Sequence, residues 1–314
     1  MRILFHDNSI TNRGTTVAIQ DYARFNNELL NNESYIVYNN SDPYNDHSVI
    51  EYLNKLFPVY SYSNISELYT LCDRLGIDLA YFIKYGFNDG VLANTPVKNA
   101  VHAVFQAYQP HGDHYAYISE WLSIKMSGGR VPYIPHIVDL PPEKRIHHNF
   151  GKGKIVIGRY GGNTTFDIPF VKDAVKEIAE TYDDFVFVFV NTDKFYEHRN
   201  IIYLDPILDL QGKTDFILSC DAMLHGRERG ESFGLAIAEF LFHNKPVFAW
   251  RGGTDGHHTI MLKDHGTLYS DKQDLIDKLL SLREGKYLDS NYKYSVDEFL
   301  PHRVMRKFHD IFLV

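Results

Sequence analysis

Short apolar runs alternate with amphipathic stretches along the first half of the chain. Residues 2–5 form the first run, and a polar loop leads from it into an amphipathic pattern over residues 17–30. The same patterns predict further strands at 34–38, 59–60, 78–83 and 97–104, and helices at 45–57 and 65–76. Short buried strands that alternate with helices in this way are typical of a parallel α/β sheet.

The alternation begins again in the second half, after a polar stretch at residues 141–154 that is typical of an interdomain linker. The predicted elements here are strands at 154–157, 185–190, 201–204, 220–224 and 247–250, helices at 168–182, 234–243, 274–282 and 301–313, and a glycine-rich loop at 252–258. A chain of 314 residues is too long for one comfortable core. We therefore predict two α/β domains, residues 1–142 and 150–296, and a C-terminal segment, residues 297–314.

The predicted helix at 234–243 differs from the others, because it is apolar on almost every side and carries a single carboxylate, Glu239. A lone buried charge is costly unless another group pairs with it. Glu231 lies eight residues earlier, and Ser232, Phe233 and Gly234 form the turn into the helix. The free N–H groups at a helix N-terminus suit a phosphate, and a buried carboxylate suits ribose or sugar hydroxyls.

Residues 231–239, Glu-Ser-Phe-Gly-Leu-Ala-Ile-Ala-Glu, with Pro246 and Val247 after them, resemble the E-x7-E motif of GT-B retaining glycosyltransferases, family 4 in particular. In that family the motif reads Glu-Gly-Phe-Gly-Leu-x-x-x-Glu, and Gly-x-Pro-Val-Val follows. Here Ser232 replaces the first glycine, and Asn244 and Lys245 replace the later one. The alternative interpretation is an ordinary buried helix with an exposed glutamate at one end.

The resemblance implies a GT-B fold, in which two Rossmann-like parallel-sheet domains face each other across a cleft. It also implies that the C-terminal segment packs back on the first domain, which would bind the acceptor. The second domain would bind a nucleotide-diphospho-sugar. There Glu239 would hold the ribose hydroxyls and Glu231 would hydrogen-bond the donor sugar. The leaving diphosphate would be stabilised by the backbone at Ser232, Phe233, Gly234 and Leu235.

Gly158 and Arg159 resemble the Gly-Arg signature of the same family, in which the arginine contacts the donor diphosphate. A guanidinium suits this task because it binds phosphate in a bidentate manner and stays charged. The family usually adds a lysine shortly afterwards, but Phe166 stands at that position here. We therefore expect substitutes in the loop that begins at Tyr160 and Gly161, and in Arg227 and Arg229. The alternative for each of these arginines is a surface ion pair.

Two places in the first half resemble ligand contacts of the family. Gly14 and Thr15 stand between the first strand and the first helix, where a glycine lets the backbone approach a ligand and threonine hydroxyls can cap the helix. The alternative is a simple N-cap. His102 lies in a predicted buried strand, where the family often has a histidine near the donor sugar. The alternative is a packed core histidine.

Composition narrows the setting in which such a protein works. A formal net charge of -8 argues against a nucleic-acid partner. The two cysteines offer neither a disulfide framework nor a metal site, and they favour a cytoplasmic location. The N-terminal apolar run is too short for a signal peptide, and no stretch reaches the length of a spanning helix. We therefore expect at most peripheral membrane contact.

The resemblance, taken with these residues, implies a retaining, metal-independent glycosyltransferase. It would move a sugar from a nucleotide-diphospho-sugar to a glycan or another hydroxyl acceptor, with no further cofactor. Two alternatives stay open. A GT-B nucleotide-sugar epimerase would need catalytic carboxylates in both domains, and the first domain shows no convincing pair. A non-catalytic protein that binds nucleotide-sugars or glycans is favoured by the absence of the usual lysine.

Overall fold

The structure of the protein, a computed structural model, describes residues 1–142, 148–265, 267–287 and 290–314. Part of the predicted linker, residues 143–147, lies outside the described residues. The chain divides into two compact units, of which the first contains Met1–Ile137 and Phe299–Val314 and the second contains Val138–Glu298. Each unit has its own six-stranded sheet, so the prediction of two parallel α/β sheets is confirmed.

The first sheet contains six parallel strands: β1 (Arg2–Asp7), β2 (Glu33–Asn39), β3 (Val59–Tyr62), β4 (Leu79–Lys84), β5 (Lys98–Ala103) and β6 (His114–Tyr117). Their order across the sheet is β3-β2-β1-β4-β5-β6. The chain therefore leaves β1 first toward one edge and later toward the other. Open α/β sheets bind ligands beyond the carboxyl ends of the strands at such a switch point.

Helices α1 (Gly14–Leu30), α2 (His47–Asn54) and α3 (Ile65–Leu75) connect these strands, and helix α4 (Glu120–Ser127) follows β6. Helix α3 begins where the Asn64 side chain accepts a hydrogen bond from the Glu67 amide, and it ends at Gly76, whose backbone is left-handed with φ 62°. Its apolar face, Leu68 and Leu71, belongs to a core that it shares with β1, β2 and β4.

The expected threonine cap of α1 is wrong. The cap residue is Arg13, and its side chain makes no capping hydrogen bond in the described part of the chain. The hydroxyl of Thr16 instead donates to Asp7 Oδ2 at 2.9 Å and accepts from the Thr11 amide at 3.0 Å. A buried carboxylate at the end of β1 therefore takes the hydroxyl that the sequence had suggested for the helix.

The second sheet also contains six parallel strands: β7 (Ile155–Tyr160), β8 (Phe185–Val190), β9 (Ile201–Leu204), β10 (Ala222–His225), β12 (Val247–Trp250) and β14 (Leu268–Tyr269). Their order is β14-β12-β10-β7-β8-β9, which repeats the connectivity of the first sheet. Two short strands, β11 (Gly230–Glu231) and β13 (Asp255–Gly256), pair separately. The all-apolar strand β8 is buried along its whole length, as expected for a central strand of a parallel sheet.

The helices of the second unit are α5 (Pro169–Thr181), α6 (Leu210–Leu218), α7 (Leu235–Phe242), α8 (His257–Leu262) and α9 (Lys272–Leu280). Helix α6 was missed in the sequence, because its buried residues include Lys213 and Asp215 and it has no clean apolar face. The predicted glycine-rich loop is shorter than expected, since α8 begins at His257. None of the helices in the described part of the chain combines the length and apolar character that a membrane crossing needs.

The C-terminal segment contributes helix α10 (Pro301–Phe308), followed by one wider turn at His309–Leu313. Its amphipathic pattern places Val304, Met305 and Phe308 in the core of the first unit. The ring of Phe308 stacks on Phe5 and Tyr22, with centroid distances of 6.3 and 5.4 Å. The segment is thus an integral part of the first core.

Candidate functional site

The polar residues of the motif region gather at the carboxyl edge of the second sheet. Arg159 lies near the end of β7, and His225 is the last residue of β10. These two strands are neighbours, and the chain leaves β7 toward β8 on the opposite side. The residues therefore lie at the switch point of this sheet, where ligands bind in folds of this kind.

Glu231 is the centre of this group. Its Oε1 accepts a hydrogen bond from His225 Nε2 at 3.0 Å, and its Oε2 accepts one from Arg227 Nη1 at 2.7 Å. The Glu231 side chain is 20% exposed, so solvent still reaches part of the carboxylate. Two positively polarised groups thus hold the carboxylate from both of its oxygens and leave some of it open.

The protonation of Glu231 follows from these contacts. Burial alone would raise the pKa of this carboxyl group, but the hydrogen bond from His225 and the charge of Arg227 oppose burial and lower the pKa to about 2. Glu231 is therefore ionised over the whole physiological range. It can accept hydrogen bonds from hydroxyl groups, and it is a weak base.

His258 supports Glu231 from the backbone side. Its Nδ1 accepts a hydrogen bond from the Glu231 amide at 3.2 Å, and its Nε2 lies 2.9 Å from the Trp250 carbonyl, to which it donates. Burial lowers the pKa of His258 to about 4, so the ring is neutral and its tautomer is set by these two partners. The sequence predicts neither His225 nor His258 as a site residue, although His225 directly follows the strand predicted at residues 220–224.

Helix α7 begins directly after Glu231, Ser232 and Phe233, as the motif predicts. Its cap residue is Gly234, with φ 96°, and a Cβ there would lie 3.3 Å from the Cβ of Glu231. Only glycine adopts this backbone without strain. The glycine therefore lets Glu231 lie close to the first helical turn, which begins at Leu235. The N–H groups of this turn have no carbonyl partners within the helix.

Glu239 lies on the buried side of α7, and the partner that the sequence demanded is Lys213 of α6. Lys213 Nζ lies 2.9 Å from Glu239 Oε1, and the hydroxyl of Tyr160 donates to Oε2. The Glu239 side chain is 5% exposed. Burial, with the charge of Glu239 beside it, raises the pKa of Tyr160 far above its usual value. No signal in the sequence pointed to Lys213, because it comes from a helix that the pattern did not predict.

Arg159 is buried, so the alternative of a surface ion pair is wrong for this residue. Its guanidinium donates to the Asn191 carbonyl and the Thr192 hydroxyl on one side, at 3.2 and 2.5 Å. On the other side it donates to the Gly162 carbonyl and the Thr165 hydroxyl, at 2.9 and 2.7 Å. Burial lowers the pKa of Arg159 to about 10, which still leaves it charged at neutral pH. Arg159 thus ties together the loops that follow β7 and β8.

The position of the expected lysine is part of the core. Phe166 is 3% exposed and packs against Phe189 and Phe195, with centroid distances of 4.9 and 5.4 Å. Of the two expected substitutes, Arg227 pairs with Glu231, and Arg229 pairs with Asp255 at 2.6 Å. Both arginines lie in the loop of residues 226–229, here called the motif loop, and each already has an anionic partner.

In the first unit, His102 is fully buried and both of its ring nitrogens are engaged. The Tyr81 hydroxyl lies 2.7 Å from Nδ1, and Nε2 lies 2.9 Å from the Ile134 carbonyl. Burial lowers the pKa of His102 to about 4. These contacts agree with the alternative of a packed core histidine. Gly14 and Thr15 form the first turn of α1, and a Cβ on Gly14 would meet open space.

The chain is similar to three solved structures over nearly its whole length, and one of them, from Rickettsia africae, is a glycosyltransferase. HepE of Anabaena, solved with UDP-glucose, is 14% identical and has a TM-score of 0.75, over 99% of this chain and 98% of its own. A glycosyltransferase from Rickettsia africae is 12% identical and has a TM-score of 0.69, over 99% and 97%. S. aureus MnaA, solved with UDP, is 13% identical and has a TM-score of 0.63, over 98% and 95%. The chain has the GT-B fold.

At sequence identities of 12–14% this similarity shows the fold and does not assign the chain to a family. A scan against protein-family models gives no match, and a search of curated proteins gives none either. What this chain binds and does is therefore argued from its own residues.

Proposed function

We propose that the protein is a glycosyltransferase of the retaining, family 4-like kind, with a UDP-sugar as its donor and a glycan or another hydroxyl compound as its acceptor. The observation that carries the proposal is the carboxylate of Glu231. It is ionised, partly open to solvent and held next to the start of α7, with the buried Glu239 farther along the same helix. The choice of UDP rests on the UDP-glucose in the HepE structure and the UDP in the MnaA structure.

In this proposal Glu231 accepts hydrogen bonds from the donor sugar and does not take part in covalent chemistry. A carboxylate with a pKa of about 2 that is already held by His225 and Arg227 is a poor base and a poor nucleophile. The acceptor proton then passes to the leaving diphosphate, as in the retaining mechanism usually proposed for family 4. A carboxylate that only binds hydroxyls is compatible with this route.

The leaving diphosphate is stabilised by fixed charges and dipoles. The first N–H groups of α7 point out of the helix N-terminus, and Arg227 lies in the loop directly before it. Arg159 contributes its buried charge and holds the loop at Gly161 and Gly162 in place, so its role is to position this loop. Because these groups supply positive potential themselves, the proposal assigns no metal ion to the reaction.

Glu239 binds the ribose hydroxyls in this proposal. A carboxylate has about four acceptor positions, and Lys213 and Tyr160 use one on each oxygen. The remaining positions can accept the hydrogen bonds of a diol. Lys213 pairs with the carboxylate and so offsets the cost of burying its charge.

A second candidate is a non-catalytic protein that binds nucleotide-sugars. The observation in its favour is Phe166, which replaces the usual phosphate-binding lysine with a core side chain. The two candidates share the binding site and differ in turnover. A nucleotide-sugar epimerase, the remaining alternative, would convert the donor without an acceptor and without releasing nucleotide.

The test is thermal unfolding of the full chain with UDP, GDP, dTDP and UDP-glucose, followed by measurement of UDP release from UDP-sugars. A ligand at about 100 times its dissociation constant adds about 2.7 kcal/mol to the free energy of unfolding. We expect stabilisation by UDP in the wild type and its loss in Glu239→Gln. The glutamine keeps an oxygen for Tyr160, so the variant avoids a large cavity. The matched control is Glu228→Gln, at an exposed glutamate of the motif loop.

The outcomes separate the candidates. Stabilisation by UDP with release of UDP supports the transferase, and stabilisation without turnover of any UDP-sugar supports the binding protein. Conversion of the sugar without release of nucleotide supports the epimerase. If no nucleotide raises the unfolding temperature of the folded wild type, the proposal is wrong.

A further inference from the structure

Three aromatic side chains lie together on the surface of the first unit, just beyond the carboxyl ends of β4 and β5. The rings of Tyr85 and Phe87 stack with a centroid distance of 5.0 Å and an angle of 9° between their planes. The ring of Phe105 lies 4.8 Å from that of Tyr85. Tyr85 and Phe87 are 44% and 48% exposed, whereas many other aromatic side chains, such as Tyr81, are fully buried. We call Tyr85, Phe87 and Phe105 the aromatic platform.

The loop that carries the aromatic platform is anchored by buried polar contacts. The side chain of Lys84 is 1% exposed, and its Nζ lies 2.6 Å from Asp89 Oδ1 and 2.9 Å from the Val91 carbonyl. The Tyr115 hydroxyl donates to the Gly86 carbonyl at 2.9 Å. Burying a lysine costs free energy unless the charge is paired. The contacts of Lys84 with Asp89 and Val91 offset this cost and hold the loop in place.

The backbone between the two stacked rings is also specified. Gly86 has φ +123°, and a Cβ there would lie 3.0 to 3.1 Å from Ala107, Ala103 and Tyr115. The Phe105 amide donates to the Tyr85 carbonyl at 3.1 Å and joins the two halves of the aromatic platform. The exposure of the rings is therefore built into the structure and does not result from a loosely packed loop.

The surroundings of the aromatic platform select one class of occupant. Its neighbours in the same loops include Asn88, Asp89 and Gln109, which carry amide and carboxylate groups. From residue 85 to residue 124 the only lysine or arginine is Lys98, which starts β5 and so stands at the opposite end of that strand. An anionic membrane surface or a nucleic acid would require cationic side chains here. Stacked rings with neutral and acidic hydrogen-bonding groups suit a neutral ring that has one C–H face and a rim of hydroxyls.

We propose that the aromatic platform is an acceptor subsite that binds a pyranose ring of a glycan. This inference rests on the proposed transferase function and deepens it, because it names the acceptor as a carbohydrate. The sugar C–H groups pack on the outer face of Phe87, whose other face stacks on Tyr85, and the sugar hydroxyls reach the polar groups of the loop. The location agrees with the rule that parallel sheets bind ligands beyond the carboxyl ends of their strands.

The experiment is saturation-transfer difference NMR on the full chain in the presence of UDP. The probes are the methyl glycosides of glucose, galactose and mannose, together with cellotriose and maltotriose, and the saturated protons are those of the aromatic rings. We expect the strongest transfer to the C–H protons on one face of a pyranose ring. Phe87→Ala should weaken the binding of that probe about tenfold, the loss of one aromatic contact. Tyr85→Ala should act in the same direction.

The matched control is Tyr44→Ala, which removes an equally large side chain from the same unit at a position that is 76% exposed. It should leave the transfer unchanged. No transfer to any probe in the wild type, or equal transfer in the wild type and Phe87→Ala, overturns the inference. Self-association in sedimentation velocity that Phe87→Ala abolishes assigns the aromatic platform to a second copy of the chain and overturns it as well.

The failure of this inference is distinct from failure of the proposed function. Stabilisation by UDP tests the donor site in the second unit and does not involve Tyr85 or Phe87. If UDP stabilises the wild type and the glycan signals do not depend on Phe87, only the acceptor subsite is wrong. If UDP does not stabilise the wild type, the transferase proposal fails whatever the glycans do.

Discussion

The two sheets have the same connectivity, but their carboxyl edges carry different chemistry. The edge of the first sheet presents aromatic rings, and its titratable groups, such as Asp7 and His102, are buried in contacts with their own unit. The edge of the second sheet presents a carboxylate, Glu231, between a histidine and an arginine. One topology thus supports an apolar surface in one unit and an ionic site in the other.

A pair of histidines makes the difference concrete. His102 and His225 each lie near the end of a strand, and both are buried. Both ring nitrogens of His102 have partners within the first unit. His225 uses Nε2 for Glu231, and its buried Nδ1 has no hydrogen-bond partner among the residues that the structure describes. A histidine at the end of a strand is therefore a site residue or a core residue according to its partners, and its position alone does not decide.

The largest expected effect concerns acid stability, because buried histidines with lowered pKa values occur in both units. They are His6 and His102 in the first unit, with pKa values of about 3 and about 4, and His257 and His258 in the second, both at about 4. Below about pH 6.5 these histidines are protonated in the unfolded chain but stay neutral in the folded chain. The free energy of unfolding therefore falls as the pH falls from about 6.5 to about 4. Each histidine contributes a slope of about 1.4 kcal/mol per pH unit.

Asp7 opposes this trend in the first unit alone. Burial raises the pKa of Asp7 to about 7, so Asp7 is protonated in the folded state at pH values where it is still ionised in the unfolded state. Protonation of Asp7 therefore increases the free energy of unfolding as the pH falls below about 7. The second unit should therefore lose stability about twice as steeply, by about 7 kcal/mol against about 3 kcal/mol between pH 6.5 and 4. Urea unfolding of Trp121→Phe and Trp250→Phe measures this, because each variant keeps the tryptophan of one unit.

Asp7→Asn is the control for this comparison. Asparagine keeps an oxygen for the Thr16 hydroxyl and removes the opposing titration. The slope of the first unit should then rise to that of the second. Equal slopes in the two single-tryptophan proteins, or no change in slope on Asp7→Asn, would contradict the assignment of the buried groups.

The next largest effect should come from Lys213, whose removal leaves Glu239 as a buried charge without its cation. Lys213→Met should lower the free energy of unfolding by about 3–5 kcal/mol. The double variant with Glu239→Gln should recover most of this loss, because neither charge of the pair then remains.

In the first unit, Arg2 and Glu33 form an exposed ion pair at 3.3 Å, and Glu33→Gln should lower the free energy of unfolding by about 0–1 kcal/mol. Urea denaturation of the four proteins checks this, and a small loss in Lys213→Met would show that the buried pair is dispensable.

The third effect is on turnover and tests Glu231, the carboxylate at the edge of the second sheet. Glu231→Gln should reduce the rate of UDP release from the preferred UDP-sugar by about 10²–10³, the usual result of removing one preorganised electrostatic contact. Glu228→Gln in the same loop should leave the rate unchanged, since that side chain is exposed. A near-normal rate in Glu231→Gln, with unchanged binding of UDP, would remove Glu231 from the reacting centre.

How far the sequence could lead depended on whether the relevant signal was local. The E-x7-E spacing, the glycine before α7 and the apolar character of that helix are local, and the structure has the predicted helix there. The need for a partner to Glu239 was also predictable, because a lone buried carboxylate is costly. The identity of that partner was not, since Lys213 comes from α6, whose buried polar residues hide the helical pattern.

The first unit shows the opposite limit. Its strands and helices follow from the apolar periodicity, but the roles of individual polar residues do not. The sequence cannot show that Tyr81 and a backbone carbonyl occupy both nitrogens of His102, or that Asp7 takes the hydroxyl of Thr16. These are contacts between different elements, and one sequence by itself does not show which elements are in contact.

Phe166 has a consequence for how this chain can change over time. A Cβ on Gly226, which follows the last strand residue before the motif loop, would lie 2.6 Å from the Phe166 ring. The aromatic ring is thus accommodated by the missing side chain of the glycine. A lysine at position 166 would bury a cation beside Phe189 and Phe195, and a larger residue at position 226 would collide with the present ring. The two positions are therefore coupled, and either substitution alone is expected to destabilise the second unit.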